Sequence, residues 1–152
     1  MKAERYKELR QEIAAVIEGE DNTVARMATV SNILYHAFDH YFWAGFYCVD
    51  PEKSDELVIG PYQGTMGCLR ITFGKGVCGA AAAERRTVLV DDVHTFPGHI
   101  ACDARSKSEV VVPVFDSTSR LIAVFDVDSD QEAMFDHDDA TGLEAIMRDS
   151  FG

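Results

Sequence analysis

Three of the four cysteines in this 152-residue chain lie in glycine- or proline-bearing surroundings typical of loops, where a thiol suits chemistry better than packing. Cys68, Cys78 and Cys102 follow the spacing C-x9-C-x23-C. Thiolates serve as nucleophiles, metal ligands or redox partners, and exposure and local charge decide among these roles. The chain has no C-x2-C pair, and these separations match neither a zinc finger nor a zinc ribbon, so we predict no structural metal.

The surroundings of Cys102 leave its charge state open. It lies in a long polar segment, residues 91–108, and long loops in compact domains are often functional. His99 and Arg105 favour a thiolate at Cys102, whereas the carboxylate of Asp103 opposes it. An inert loop thiol is the alternative at this point.

The other cysteines differ in what their neighbours imply. Cys78 begins an alanine-rich helix, where the helix dipole favours a thiolate, but a small residue packed beside glycines is an equally ordinary interpretation. Cys68 has a glycine-flanked loop that could carry it to another thiol, or it is an ordinary exposed thiol. Cys48 alternates within an apolar strand, and we predict that it is a buried spectator.

Acidic and aromatic side chains form a second group of candidates. Asp126 and Asp128 are two residues apart in a predicted strand and therefore point to the same face, and Glu109 heads another strand. Carboxylates that share a face seek a cation or shift their pKa values, although a solvated strand end is the simpler alternative. Trp43 and Tyr47 share strand parity. A pocket of aromatic walls, acids and a thiol would suit a small amphiphilic amine.

The elements that position these residues follow from hydrophobic periodicity. The pattern predicts four helices and about six strands in the order α-α-β-β-β-α-β-β-β-α. Few strands are separated by helices, so we predict an α+β domain with a mainly antiparallel sheet and its helices on one side. Two predicted helices span residues 2–17 and 77–86, and two more follow N-caps at Asn22 and Asp136. The predicted strands span residues 42–49, 57–62, 69–73, 87–90, 109–115 and 121–128.

Composition limits the classes of protein. The length predicts a single domain over residues 1–152. A formal net charge of −12 repels phosphate backbones and anionic lipid surfaces, so we predict neither a nucleic-acid nor a membrane partner. The polar N-terminal stretch is no signal peptide, which predicts a cytoplasmic protein whose cysteines form at most transient bonds.

The segment GKGVCG, residues 74–79, satisfies the dinucleotide-binding pattern G-x-G-x-x-G. The elements before it are not a βαβ unit, and the strands after it are hairpin-like. We therefore predict that these glycines allow tight backbone packing and do not cradle a phosphate.

Taken together, the segments FWAGFY, GPYQG, FGKGVCGAAA, DVHTFPGHIACDARSKSE and FDVDS resemble the free methionine-(R)-sulfoxide reductases of the stand-alone GAF-domain type. The similarity runs from Trp43 to about Glu144 and keeps all three cysteine spacings. It implies a GAF-like fold, with a six-stranded antiparallel sheet flanked by helices, in a usually dimeric, cytosolic enzyme. The implied substrate is the free amino acid, and the resemblance implies no metal or organic cofactor.

The resemblance also implies roles for single residues. Cys102 matches the nucleophile that attacks the sulfoxide sulfur and becomes a sulfenic acid, and Cys68 matches the resolving thiol. The disulfide between them would be reopened by thioredoxin. Cys78 matches a third cysteine with an auxiliary or alternative resolving role.

For substrate binding, Glu109, Asp126 and Asp128 match an acidic triplet suited to the substrate ammonium and, through one member such as Asp128 or Glu109, to protonation of the sulfoxide oxygen. Trp43 and Tyr47 match the wall that receives the methyl group. The alternative is a GAF module that senses a small ligand without catalysis, for which three cysteines at this spacing are not needed.

Overall fold

A six-stranded sheet lies at the centre of the computed structural model, which describes residues 1–100 and 102–152. The strand order is β3-β2-β1-β6-β5-β4, and all five ladders are antiparallel. The α+β prediction is therefore confirmed. The strands are β1 (Trp43–Asp50), β2 (Lys53–Gln63), β3 (Arg70–Thr72), β4 (Val88–Val90), β5 (Ser108–Phe115) and β6 (Leu121–Ser129).

Four helices flank the sheet: α1 (Lys2–Ile17), α2 (Thr23–Ala37), α3 (Gly76–Glu84) and α4 (His137–Phe151). A short 3-10 turn, Val93–Thr95, interrupts the long segment after β4. In the part of the chain that the structure describes, no helix has the length and apolar character needed to cross a bilayer.

Alternation along the strands gives the sheet two apolar faces. One face packs against α1, α2 and α4, and the other packs against α3. The prediction that all helices lie on one side is wrong for α3. Its sequence GVCGAAAAE is small and apolar on every side, and Gly76 to Ala82 are all buried, so this helix fills the second face at close range.

The glycines of the 74–79 segment explain this close approach. A methyl group added at Gly79 would lie 2.5 Å from the carbonyl oxygen of Thr72, and Gly76 has a φ of +62°. The prediction that these glycines serve tight packing is confirmed, since only a residue without a side chain fits both requirements.

A buried polar network fixes α1 to the start of α4. Asp136 caps α4 and forms a capping box with Asp139, as the sequence predicted for the cap. Asp139 is fully buried and accepts hydrogen bonds from the Tyr6 hydroxyl at 2.6 Å and from Lys2 Nζ at 2.8 Å, while the Tyr6 and Tyr41 hydroxyls lie 2.6 Å apart. Burial, followed by Tyr41 and Asp139, raises the pKa of Tyr6, so its hydroxyl stays a donor.

Candidate active site

The register of the sheet brings the predicted acids together. In the ladders of β6, Asp128 is paired with Trp43 of β1 on one side and with Glu109 of β5 on the other. Asp126 lies two residues earlier in β6, paired with Gly45 of β1 and with Val111 of β5. Because strand side chains alternate, Asp126 and Asp128 share a face, as predicted. This face is the one covered by α3.

The three carboxyl groups strongly perturb one another. Glu109 and Asp126 are only 6% and 5% exposed, and Asp128 is partly buried. Burial, and then the charges of Asp126 and Asp128, raise the pKa of Glu109 well above its usual range. Burial raises the pKa of Asp126, and burial followed by the charge of Asp126 raises that of Asp128 well above its usual range. A protonated carboxylic acid is therefore available at this face.

One oxygen of this group lacks a partner. Asp126 Oδ1 is buried and makes no hydrogen bond with any described residue. Buried polar atoms in folded proteins are almost always paired, so an exception marks a place where a ligand completes the hydrogen bonding.

Cys78 lies on α3 directly above the carboxyl groups. It is 4% exposed, and its Sγ lies 3.9 Å from Glu109 Oε2. Burial, and then the charges of Asp126 and Glu109, raise the pKa of the Cys78 thiol well above its usual range. The helix dipole alone predicted a thiolate here. Burial and the neighbouring acids act in the opposite direction, and the burial of Cys78 within α3 fits the alternative of a small residue packed beside glycines.

The aromatic wall lies next to the acids and supports the loop that leads to Cys68. Trp43 and Tyr47 stack with ring centroids 5.7 Å apart, and both are buried. Trp43 Nε1 donates to the Thr65 carbonyl oxygen at 2.7 Å. A methyl group added at Gly67 would lie 3.0 Å from Trp43 Cζ2 and from the Tyr47 hydroxyl. The loop backbone is thus pressed directly against the two rings.

Cys68 and Cys102 are joined by a disulfide at the mouth of the same site. Their Cα atoms are 5.3 Å apart, in the ordinary range for such bonds, although 34 residues separate them in sequence. Cys102 is exposed and Cys68 is partly buried. By contrast, Cys48 lies on the other face of the sheet, partly buried, with its Sγ 3.7 Å from Met27 Sδ.

A contact that sequence reasoning missed holds the two cysteine loops together. Asp103 Oδ2 accepts a hydrogen bond from Thr65 Oγ1 at 2.8 Å, which ties the Cys102 loop to the Cys68 loop. Arg105 pairs with Asp103 at 3.0 Å and lies over the Phe42 ring, 4.8 Å from its centroid. Hydrogen bonds from Arg105 and Thr65 lower the pKa of Asp103. The sequence showed opposite charges two residues apart, and this was the one available signal.

These parts meet in one pocket. It is lined by every predicted site residue except Cys68, and also by Lys75, His99 and Ile100, to which sequence analysis gave no place in the pocket. Burial, and then His94, lower the pKa of His99, so its ring is neutral near pH 7. The cavity volume is about 40 Å³ in this disulfide state.

Comparison with known proteins gives consistent results. The family model described as "GAF domain" matches residues 28–149. Free methionine-R-sulfoxide reductase from Escherichia coli is 40% identical over 96% of this chain and 86% of its own length, and the Saccharomyces cerevisiae enzyme of the same name is 37% identical over 97% and 84%.

Among solved structures, the free methionine-R-sulfoxide reductase of Neisseria meningitidis in complex with its substrate has a TM-score of 0.93 at 46% identity, covering 98% of this chain and 87% of that one. The chain therefore belongs to the GAF domain family, in the group that contains the free methionine-R-sulfoxide reductases.

Proposed function

We propose that this protein is an oxidoreductase that reduces free methionine-(R)-sulfoxide to methionine through cysteine chemistry. The observation that carries the proposal is the disulfide between Cys68 and Cys102 at the mouth of a pocket whose floor carries three carboxyl groups of raised pKa. The relatives at 37% and 40% identity bear the name of that activity.

The carboxyl groups and the aromatic wall bind different parts of the substrate. Asp126 is buried with an unpartnered oxygen, which suits it to bind the substrate ammonium. Trp43 and Tyr47 offer a flat apolar surface beside the acids, which suits the methyl group on the sulfoxide sulfur. We assign these three residues to substrate binding, with Glu109 and Asp128 next to them.

Cys102 acts as the nucleophile in this proposal. Its sulfur attacks the sulfoxide sulfur, and the oxygen passes to Cys102 as a sulfenic acid while methionine leaves with its sulfur reduced by two electrons. A sulfoxide is a poor electrophile until its oxygen receives a proton or a strong hydrogen bond. Burial and neighbouring acids raise the pKa values of Glu109 and Asp128 well above the usual range, which suits either of them to supply that proton.

Cys68 resolves the sulfenic acid. Its thiol displaces the sulfenic oxygen as water and leaves the disulfide seen between the two residues. The cavity of about 40 Å³ in this state is much smaller than a cavity of about 150 Å³ that admits benzene. The disulfide therefore has to open before the next substrate enters. Cys78 stays an auxiliary thiol, since burial raises its pKa.

Thioredoxin is the proposed reductant. Cys102 is an exposed residue, and Met66 and Leu69 beside Cys68 are 81% and 72% exposed. An apolar rim around an accessible disulfide supports docking of a protein that carries a dithiol. Two electrons from that dithiol return Cys68 and Cys102 to thiols.

The test is methionine formation from free methionine-(R)-sulfoxide with a thioredoxin system. We expect Cys102→Ser to abolish turnover, and the Cys68→Ser Cys78→Ser double variant to release at most one methionine per site. Cys48→Ser serves as the matched control and keeps full activity, because it lies on the opposite face of the sheet. Turnover that survives in Cys102→Ser overturns the assignment of the nucleophile, and substrate binding without turnover in the wild type supports a sensor.

Three further predictions belong to the same proposal: residues 1–152 as one domain, a homodimer and a cytoplasmic location. The packing of α1 against α4 supports one domain. Val16 and Val24 are 59% and 62% exposed on α1 and α2, which supports pairing of these helices between two copies. Light scattering after size-exclusion chromatography tests the homodimer, and Val16→Glu should then shift the mass to that of a monomer.

A further inference from the structure

Cys78, Glu109 and Asp126 present one sulfur and two oxygens to a common point. One potential ligand atom from each residue lies within 4.8 Å of those of the other two, and all three residues are buried. Among the described residues this is the one group of at least three cysteine, histidine or acidic side chains that meets this geometry. It faces the pocket from the side of α3 and from the sheet at once.

A second observation indicates a positively charged ligand at this point. Asp126 is 5% exposed, its Oδ1 has no hydrogen-bond partner among the described residues, and it lines the pocket. The carboxyl groups of Glu109 and Asp128 lie at the same place, where burial and neighbouring acids raise their pKa values, so a bound cation favours their charged forms. A cation that contacts Asp126 Oδ1 satisfies the orphaned oxygen and relieves the repulsion among the three acids.

We propose that Cys78, Glu109 and Asp126 form a reversible Zn²⁺ site at the floor of the pocket, and that the bound ion inhibits the enzyme. The inhibitory part rests on the proposed function, whereas the binding part does not. Zn²⁺ accepts thiolate, carboxylate and water ligands in one tetrahedral site, while Mg²⁺ and Ca²⁺ require oxygen ligands alone. On binding, the Cys78 thiol and the Glu109 carboxyl each lose a proton to solvent, and the Cys78 sulfur and the carboxylate oxygens of Glu109 and Asp126 bond to the metal.

The dimensions fit this ion. With Zn–S near 2.3 Å and Zn–O near 2.1 Å, the ligand atoms of a tetrahedral site lie roughly 3.5 Å apart, so side chains now within 4.8 Å need shifts of about 1 Å. The Sγ of Cys78 and Oε2 of Glu109 are already 3.9 Å apart. The cavity of about 40 Å³ has room for an ion and a bound water, even while the disulfide is closed.

The disulfide state makes the test specific. With Cys68 and Cys102 joined, neither sulfur is available to a metal, and Cys48 lies on the other face of the sheet. Any thiolate-dependent binding in the oxidised protein therefore reports on Cys78.

The experiment titrates the oxidised full-length protein with Zn²⁺ by calorimetry and by competition with a chromogenic chelator. We expect one ion per chain, at least a 100-fold loss of affinity in Cys78→Ala and in Asp126→Asn, and unchanged binding in the matched control Cys48→Ser. Mg²⁺ should give no heat of binding. Co²⁺ replaces Zn²⁺ as a coloured probe and should give a thiolate-to-metal absorption band that Cys78→Ala removes.

Circular dichroism and thermal unfolding show whether each variant is folded, and Glu109→Gln provides a second ligand variant that leaves the thiol in place. The inference is overturned if the wild type binds no Zn²⁺, or if folded Cys78→Ala binds it as tightly as the wild type. Inhibition is measured separately, on methionine formation. Zinc binding without any reductase activity would refute the proposed function and leave the site standing, whereas activity without zinc binding would refute the site alone.

Discussion

Two buried aspartates on opposite sides of the sheet differ in how fully their oxygens are paired. Asp139, at the start of α4, is fully buried and accepts hydrogen bonds from Lys2 and Tyr6 and from the backbone of Asp136. Asp126, on β6, is almost as buried but has an oxygen with no partner among the described residues. The carboxylate of Asp139 has a structural role, because all of its contacts are within the protein. The unpaired oxygen of Asp126 is available to a ligand.

The difference arises from what faces each aspartate. Asp139 meets a lysine and a tyrosine from α1, which supply a charge and a donor. Asp126 meets Glu109, Asp128 and Cys78, none of which supplies a positive charge. The surroundings of Asp126 lower the stability of the fold relative to a paired carboxylate such as Asp139. A loss of stability of this kind is typical of binding and catalytic sites.

Asp126→Asn should have the largest effect. We expect kcat/KM for free methionine-(R)-sulfoxide to fall about 1000-fold, because the ammonium loses a charged, desolvated partner and the acid cluster loses a member. The melting temperature should stay the same or rise, since one source of repulsion is removed. Steady-state kinetics and thermal unfolding measure both, with exposed Asp130→Asn as the matched control. A large loss of stability with normal kinetics would reverse the roles given to the two aspartates.

Asp139→Asn should show the complementary pattern. We expect the free energy of unfolding to fall by about 2 kcal/mol, because hydrogen bonds from Lys2 and Tyr6 to a charged acceptor are lost. Activity per folded molecule should be unchanged. Urea unfolding checks the stability, and Asp138→Asn, which removes an exposed charge from the same turn, is the control. Equal losses in the two variants would show that the buried network is not the cause.

Asp103→Ala tests the comparison at the mouth of the pocket, where a carboxylate is paired and only partly buried. Its bond to Thr65 holds the two cysteine loops together, so we expect disulfide closure after the first turnover to slow about tenfold. Rapid alkylation of free thiols at timed intervals measures closure. Thr65→Val removes the same hydrogen bond without removing a charge and should give a similar delay, and closure at the wild-type rate in both variants would contradict this role.

Leu69→Ser should have the smallest effect. Removal of an exposed apolar side chain beside Cys68 should raise the KM for thioredoxin about threefold. The effect is small because one side chain contributes only a small part of an apolar docking surface. Methionine released in a single turnover by the pre-reduced enzyme should be unchanged. Leu89→Ser, exposed on β4, is the control, and an equal change in both variants would mean that the rim around Cys68 is not the docking surface.

Local patterns were enough to predict most elements of the fold. Period-two alternation located the six strands, and Asn22 and Asp136 were correctly identified as helix caps. The start of β2 was missed because Lys53 to Glu56 are all polar and the first three are exposed, so no apolar alternation indicates a strand there. The side of the sheet that α3 covers was also wrong, because its short alanine-rich sequence gives no amphipathic direction.

The site was only partly predictable for a related reason. The shared face of Asp126 and Asp128 follows from strand parity, which is local. The protonation state of Cys78 depends on two acids 31 and 48 residues away in sequence, and the contact between Thr65 and Asp103 spans 38 residues. Such interactions exist only once the sheet has formed, so composition and spacing do not identify these partners.

The position of Trp43 has a practical consequence. It is the single tryptophan of the chain, and its indole nitrogen is bonded to the backbone of the loop that leads to Cys68. Its intrinsic fluorescence should therefore change when that loop moves between oxidised and reduced forms. The protein carries a built-in optical reporter of its own redox cycle, readable in real time without any attached dye.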